Sequence, residues 1–128
     1  MVARLYAVVG SNRLERARAF YDALFGSTGV EPLLEHPSGG RYYGKDGLLF
    51  FGVLGPHNKL PATVANGSMV SFCFDTPEEV NAFYQQALEL GATDEGAPGY
   101  RGPTYYMSYF RDLDGNKLCA NCIRAGTA

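Results

Sequence analysis

The sequence predicts an α+β fold made of two tandem βαβββ modules within 128 residues. Three observations predict it. First, Y6-A-V-V-G-S-N-R-L-E-R-A-R-A-F-Y21 and M69-V-S-F-C-F-D-T-P-E-E-V-N-A-F-Y84 repeat at a constant offset of 63 residues, so that Glu15, Ala19, Phe20 and Tyr21 meet Glu78, Ala82, Phe83 and Tyr84. Second, each copy is an apolar, strand-like run followed by a capped stretch of helical period. Third, K45-D-G-L-L-F-F51 lies over L113-D-G-N-K-L-C119 at an offset of 68. An insertion of five residues in a loop reconciles the two offsets.

The elements follow in order. Residues 5–9 are a β-rich run. Asn12 offers an N-cap oxygen, and Glu15 three residues later completes a capping-box pattern. Leu14, Ala17, Tyr21 and Leu24 then fall on one face of a helix, which Gly26 to Gly29 stop. Short strands are expected at 33–34, 41–43 and 48–53, turned by Gly39-Gly40 and Asp46-Gly47. Residues 55–67, rich in Pro, Asn and Gly, connect the modules. The first module therefore spans 1–60 and the second 66–124.

In the second module, residues 69–74 form the opening strand. Thr76-Pro77-Glu78-Glu79 starts a helix with a capping hydroxyl and proline at its first position. Val80, Phe83, Tyr84, Ala87 and Leu88 make its buried stripe, and Gly91 ends it. Residues 105–111 and 116–122 form a hairpin across D112-L-D-G-N116. Three consecutive short strands leave no room for crossovers, so each sheet is mixed, with its helix on one face. Two such half-barrels side by side, helices outside, leave a concave face lined by alternate strand residues.

Composition narrows the function classes. The net charge is −2 with both signs interspersed, which argues against a nucleic-acid or membrane-surface partner. No apolar run approaches the roughly 20 residues of a membrane-spanning helix. The apolar start is short and broken by Arg4 and Arg13, unlike a signal peptide. The three cysteines read as reduced thiols of a cytoplasmic protein. Cys119 and Cys122 lie three apart in a strand and point to opposite faces, which disfavours a zinc-binding or redox pair. In D112-L-D-G-N116 the sixth position from Asp112 is Lys117 and the twelfth is Ile123, so a calcium loop is excluded in favour of a hairpin turn.

The segments L14-E-R-A-R-A-F-Y-D-A-L-F-G26, N66-G-S-M-V-S-F72, E95-G-A-P-G99 and Y109-F-R-D-L-D-G-N-K-L118 resemble the vicinal oxygen chelate superfamily. It includes glyoxalase I, bleomycin-resistance proteins, extradiol dioxygenases and fosfomycin-resistance enzymes. The resemblance implies paired βαβββ modules, a homodimer and a small-molecule site. In metal-using members the first and last strands of each module supply His, Gln or Glu to one divalent ion. Carried over by motif, those positions are Tyr6, Phe51, Met69 and Cys119, which the internal repeat also relates in pairs. None is the expected ligand. Phe51 has no donor atom, Met69 is a soft thioether, and the Tyr6 phenol would have to lose its proton. Cys119 alone falls short of the three protein ligands of a catalytic zinc. His36 and His57 are the only histidines, and both lie in loop contexts.

The expectation is thus a pocket without a metal or other cofactor. Strand alternation puts Tyr105, Met107 and Tyr109 on one face and Tyr106, Ser108 and Phe110 on the other; which set faces the ligand stays open. Tyr6, Phe51, Met69, Tyr105, Tyr109, Cys119 and Arg101 are the candidate ligand-binding residues. They suit a ring- or thioether-bearing molecule with a polar handle, and Arg101 favours a carboxylate. The alternative carried by the resemblance is a metal-dependent lactoylglutathione lyase-like or other lyase or isomerase activity.

Overall fold

The computed structural model describes residues 1–123, and residue 124 of the second expected module lies outside them. The chain divides into two compact units, Met1–Val64 and Ala65–Ala128. In the first, strands β1 (Ala7–Gly10), β2 (Glu31–Glu35), β3 (Arg41–Lys45) and β4 (Leu48–Leu54) accompany helix α1 (Leu14–Leu24). In the second, β5 (Val70–Cys73), β6 (Thr93–Tyr100), β7 (Tyr105–Arg111) and β8 (Lys117–Ile123) accompany α2 (Pro77–Glu89). The sheet orders are β1-β4-β3-β2 and β5-β8-β7-β6. In each, the opening strand pairs parallel with the last strand and the other pairings are antiparallel. This is the expected α+β, mixed-sheet architecture.

Helix α2 begins as the sequence predicts. Thr76 caps it, its hydroxyl accepting from the Glu79 N–H at 3.2 Å and meeting Glu79 Oε1 at 3.0 Å. Val80, Phe83, Tyr84 and Ala87 are buried, while Leu88 is half-buried. Gly91 takes φ +104° where the chain leaves the helix, a conformation open to glycine at little steric cost. Helix α1 begins differently. Its N-cap is Arg13, with no side-chain cap bond. Asn12 instead makes two bonds to Ala62, donating to its carbonyl at 2.9 Å and accepting from its N–H at 2.7 Å. The side chain expected to cap the helix pins the connector, because two long-range backbone bonds outweigh one local cap bond.

Each helix covers one face of its sheet through aromatic packing. In the first unit Tyr21, Phe25, Tyr43 and Phe51 form one cluster, with Tyr21 and Phe51 centroids 4.8 Å apart. In the second, Phe83 packs on Phe72, Phe74 and Phe110, and Tyr84 on Phe110. A tyrosine–aspartate bond adds to each: Tyr43 donates to Asp22 and Tyr84 to Asp94, both at 2.7 Å. Burial is the main cause raising both phenol pKa values, Tyr84 to about 12.

The sequence reading names no strand at β6. Its E95-G-A-P-G99 core lacks strand-forming side chains, and Pro98 suits only an edge. Pairing with β7 holds it in place, with irregular register around Gly96.

Candidate functional site

The register of the two sheets decides which side chains share a face. On β7 and β8, Phe110 stands opposite Leu118, and Tyr109 opposite Cys119. Phe110 packs against α2, and Tyr106 donates to Asn81 of that helix at 2.6 Å. Tyr106, Ser108 and Phe110 therefore face the helix. Tyr105, Met107 and Tyr109 face away from it, which resolves the alternation left open by the sequence. Across the parallel pair, Ser71 stands beside Cys119 and Cys73 beside Asn121, so these four occupy the same far face as Tyr109.

Asn121 organises that face. It is 2% exposed. Its amide donates to Ser71 Oγ and reaches Cys73 Sγ at 3.6 Å and Cys119 Sγ at 4.0 Å. A buried amide must spend its N–H groups on such partners or lose about 1–3 kcal/mol. The sequence reading missed Asn121; the available signal was a polar residue two positions after Cys119, on the same face of a largely apolar strand. Cys119 is fully buried, while Cys73 is exposed. Cys122 turns the other way and lies 3.4 Å from the Asp75 carbonyl, as the spacing argument requires.

Beside this cluster Tyr109 carries two cations. Arg101 Cζ lies 5.9 Å from the ring centroid and Lys117 Nζ 5.3 Å, both within the range of cation–π attraction. The E95-G-A-P-G99 segment makes room for Arg101. A Cβ on Gly96 would stand 3.1 Å from Tyr109 and 3.4 Å from Arg101, and one on Gly99 would stand 3.1 Å from Arg101. The guanidinium also donates to the Ala97 carbonyl at 2.7 Å. Two side-chain-free positions thus let a planar cation lie along β6 next to an aromatic ring.

The first unit requires a correction. Ala7 pairs with Phe51 and Val70 with Leu118. With the opening strands equivalent at 63, the last strands are equivalent at 67 residues, not 68. The cause is a β-bulge: Tyr43 pairs with Phe51 and Gly44 with Leu49, which leaves Phe50 as the extra residue. A one-residue slip exchanges the faces of a strand. Phe51 is therefore 1% exposed in the α1 cluster and belongs to the core, outside the candidate site. The counterpart of Cys119 is Gly52. The Tyr42 ring lies over it, 2.8 Å from where a Cβ would be. Tyr6 meets Tyr42 edge-on at 5.7 Å, and burial followed by the Tyr6 phenol raises the Tyr42 pKa. Tyr6, Met69 and Tyr105 are about half exposed.

The corrected positions, Tyr6, Gly52, Met69 and Cys119, offer one phenol, one thioether and one thiol. Among the described residues no three His, Cys, Asp or Glu side chains are grouped to hold an ion. The residues present do not fit the divalent ion of metal-using relatives. In the D112-L-D-G-N116 turn the Asp112 carboxylate accepts from the Asp114 N–H, the Asn116 N–H and the Asn116 amide at 2.9–3.0 Å, which accounts for an acid there without a cation.

The model of the glyoxalase/bleomycin resistance protein/dioxygenase superfamily matches residues 5–120. The chain belongs to that superfamily. Among solved structures it is similar to a glyoxalase/bleomycin resistance protein from Albidiferax ferrireducens, at 38% identity and a TM-score of 0.83, covering 93% of this chain and 97% of that one. A lactoylglutathione lyase from Agrobacterium tumefaciens shares the superfamily fold at 21% identity and a TM-score of 0.69, over 94% of both chains. A fosfomycin resistance protein from Listeria monocytogenes does so at 17% identity and a TM-score of 0.72, over 98% of this chain and 97% of that one. No curated protein matches the chain. The superfamily thus hosts several activities on one fold, and the residues of the site must discriminate among them.

Proposed function

We propose that this superfamily member binds a small organic molecule, ring- or thioether-bearing with a carboxylate handle, without a catalytic metal. The observation that carries the reading is the Tyr109 ring flanked by Arg101 and Lys117. It lies on the same sheet face as the Asn121 amide and two thiols. An aromatic surface supplies apolar contact and two cations supply attraction for an anion, while the buried Asn121 amide ties β8 to β5 through Ser71. Within the same unit, the half-exposed Met69 and Tyr105 offer further apolar surface to such a ligand; Tyr6 of the first unit is retained as a candidate by the resemblance alone. The reading includes a homodimer, tested by sedimentation equilibrium. It also includes a reducing, cytoplasmic setting, which suits three free cysteines.

The test is calorimetric titration with S-benzylglutathione, which combines a ring, a thioether and carboxylates. Binding is expected to survive exhaustive chelation and to weaken several-fold in Arg101→Gln and Tyr109→Ala. A metal that co-purifies stoichiometrically and whose removal abolishes binding would sink the proposal. So would hemithioacetal isomerisation above background on adding nickel or zinc, which would establish the lyase alternative.

A further inference from the structure

A second site is built wholly from residues of the first unit. A cleft of about 740 Å3 opens between the β2–β3 turn and the segment that follows β4. That volume is within the range of small-molecule sites. Its chemistry is one-sided. His36, His57 and Lys59 line it together with Leu60 and three prolines, and no carboxylate is among its lining residues. Glu35, next to His36 in sequence, is engaged by Arg41 Nε at 2.6 Å.

Both walls are built and fixed. In the first wall, Gly39 N–H closes the turn onto the His36 carbonyl at 2.9 Å, and Arg18 donates to the Gly39 carbonyl at 2.6 Å. The Ser38 N–H donates to His36 Nδ1 at 3.1 Å, so Nδ1 is an acceptor and the proton of a neutral ring resides on Nε2. That leaves Nε2–H as the donor the ring can offer a ligand. The second wall is tied down at both ends. Gly55 N–H donates to Ser38 Oγ at 3.0 Å, joining the two walls, and Asn12 holds Ala62 through two bonds. Between those ties, Lys59 N–H bonds to the Pro56 carbonyl at 3.0 Å and Leu60 N–H to Asn58 Oδ1 at 3.0 Å. Lys59 sits at φ +63°, one of only two non-glycine residues with positive φ among the described residues. Held there by its surroundings, a lysine in this region is the kind of backbone outlier that accompanies ligand sites.

We infer that this cleft binds an organic carboxylate, its anionic end met by Lys59, His57 and His36 Nε2–H and its apolar body lying against Leu60 and the prolines. Tied walls and the oriented His36 ring lower the ordering cost of binding. An ammonium and two imidazoles without a competing acid select an anion over its neutral analogue.

The test is a titration of the full-length protein with benzoate, and in parallel with neutral benzamide, followed by heteronuclear NMR. Benzoate is expected to shift His36, Ser38, His57 and Lys59 resonances saturably, with benzamide far weaker. Lys59→Gly is the informative variant, since glycine accepts φ +63° and the side chain with its ammonium is lost without backbone strain. It and His57→Gln should each weaken benzoate by about two- to five-fold, the scale of a partly solvated charge contact. The inference is overturned if benzoate gives no saturable shifts, if benzamide matches it, if the shifts centre on Tyr109 and Asn121, or if Lys59→Gly binds benzoate unchanged.

Discussion

Phe51→Ala separates the two assignments of the last strand in the first unit. If Phe51 lined an exposed ligand face, its truncation would cost little stability and would act mainly on binding. The structure instead leaves it 1% exposed, with Tyr21, Phe25 and Tyr43 centroids at 4.8, 5.8 and 6.4 Å. Removing a fully buried aromatic ring costs about 3–5 kcal/mol, made up of lost transfer energy and an unfilled cavity. With a urea m-value of about 2 kcal/mol per molar, the unfolding midpoint should fall by roughly 1.5–2.5 M. The assay is equilibrium urea unfolding followed by circular dichroism and tyrosine fluorescence together, which checks for a single transition. Phe51→Leu should lose much less and remain folded if the alanine variant does not. A loss below about 1 kcal/mol for Phe51→Ala would refute the bulge-shifted register and return Phe51 to the ligand face.

Other outcomes follow from the same geometry. Gly52→Ala should cost about 1–3 kcal/mol in urea unfolding, because the new methyl meets the Tyr42 ring at 2.8 Å; an unchanged midpoint would contradict that contact. Tyr84→Phe should alter stability at both ends of the pH scale. The folded-state phenol pKa is raised to about 12, chiefly by burial and then by Asp94. That contribution is full below pH 10 and lost as pH rises toward 12. Tyr84 and then the Gly96 N–H lower the Asp94 pKa, so this part is present above the unfolded carboxylate value and lost as pH falls through the folded one. Urea midpoints of the variant from acid to alkaline pH should lack the alkaline component and keep only the part of the acid one that the Gly96 N–H supplies. Thr76→Ala should cost about 1 kcal/mol by removing the α2 cap, whereas removal of the Asn12 side chain should disturb the Ala62 bonds and leave α1 helicity unchanged by circular dichroism.

The sequence made the repeat, both helices and the paired-module architecture legible because each rests on local periodicity. Thr76 could be read as a cap since its partner is three residues away. Asn12 could not, because the group it prefers is 50 residues distant. Strand β6 escaped notice for a related reason: its glycines and proline carry no strand signal, and only the β7 partner makes it a strand. At the site, Tyr109, Arg101 and Cys119 could be singled out from the sequence, but Asn121 passed as an ordinary strand residue. The counterpart of Cys119 lies one position beyond Phe51, at Gly52. An Asp-Gly turn aligns two hairpins at their tips, while the ladder is counted from the bulge, and nothing local to Phe50 announces that it is unpaired.

That bulge constrains how this chain could change. A new acid at position 51 would be enclosed in an aromatic core without a counter-charge, and one at position 52 would strike Tyr42. No single replacement at either place offers a donor on the far face. Deleting Phe50 would only regularise the ladder, leaving residue 51 opposite Tyr43 on the α1 face. A donor on the far face of this strand therefore needs two changes at once, a new side chain at position 52 and a smaller one at position 42 to make room for it.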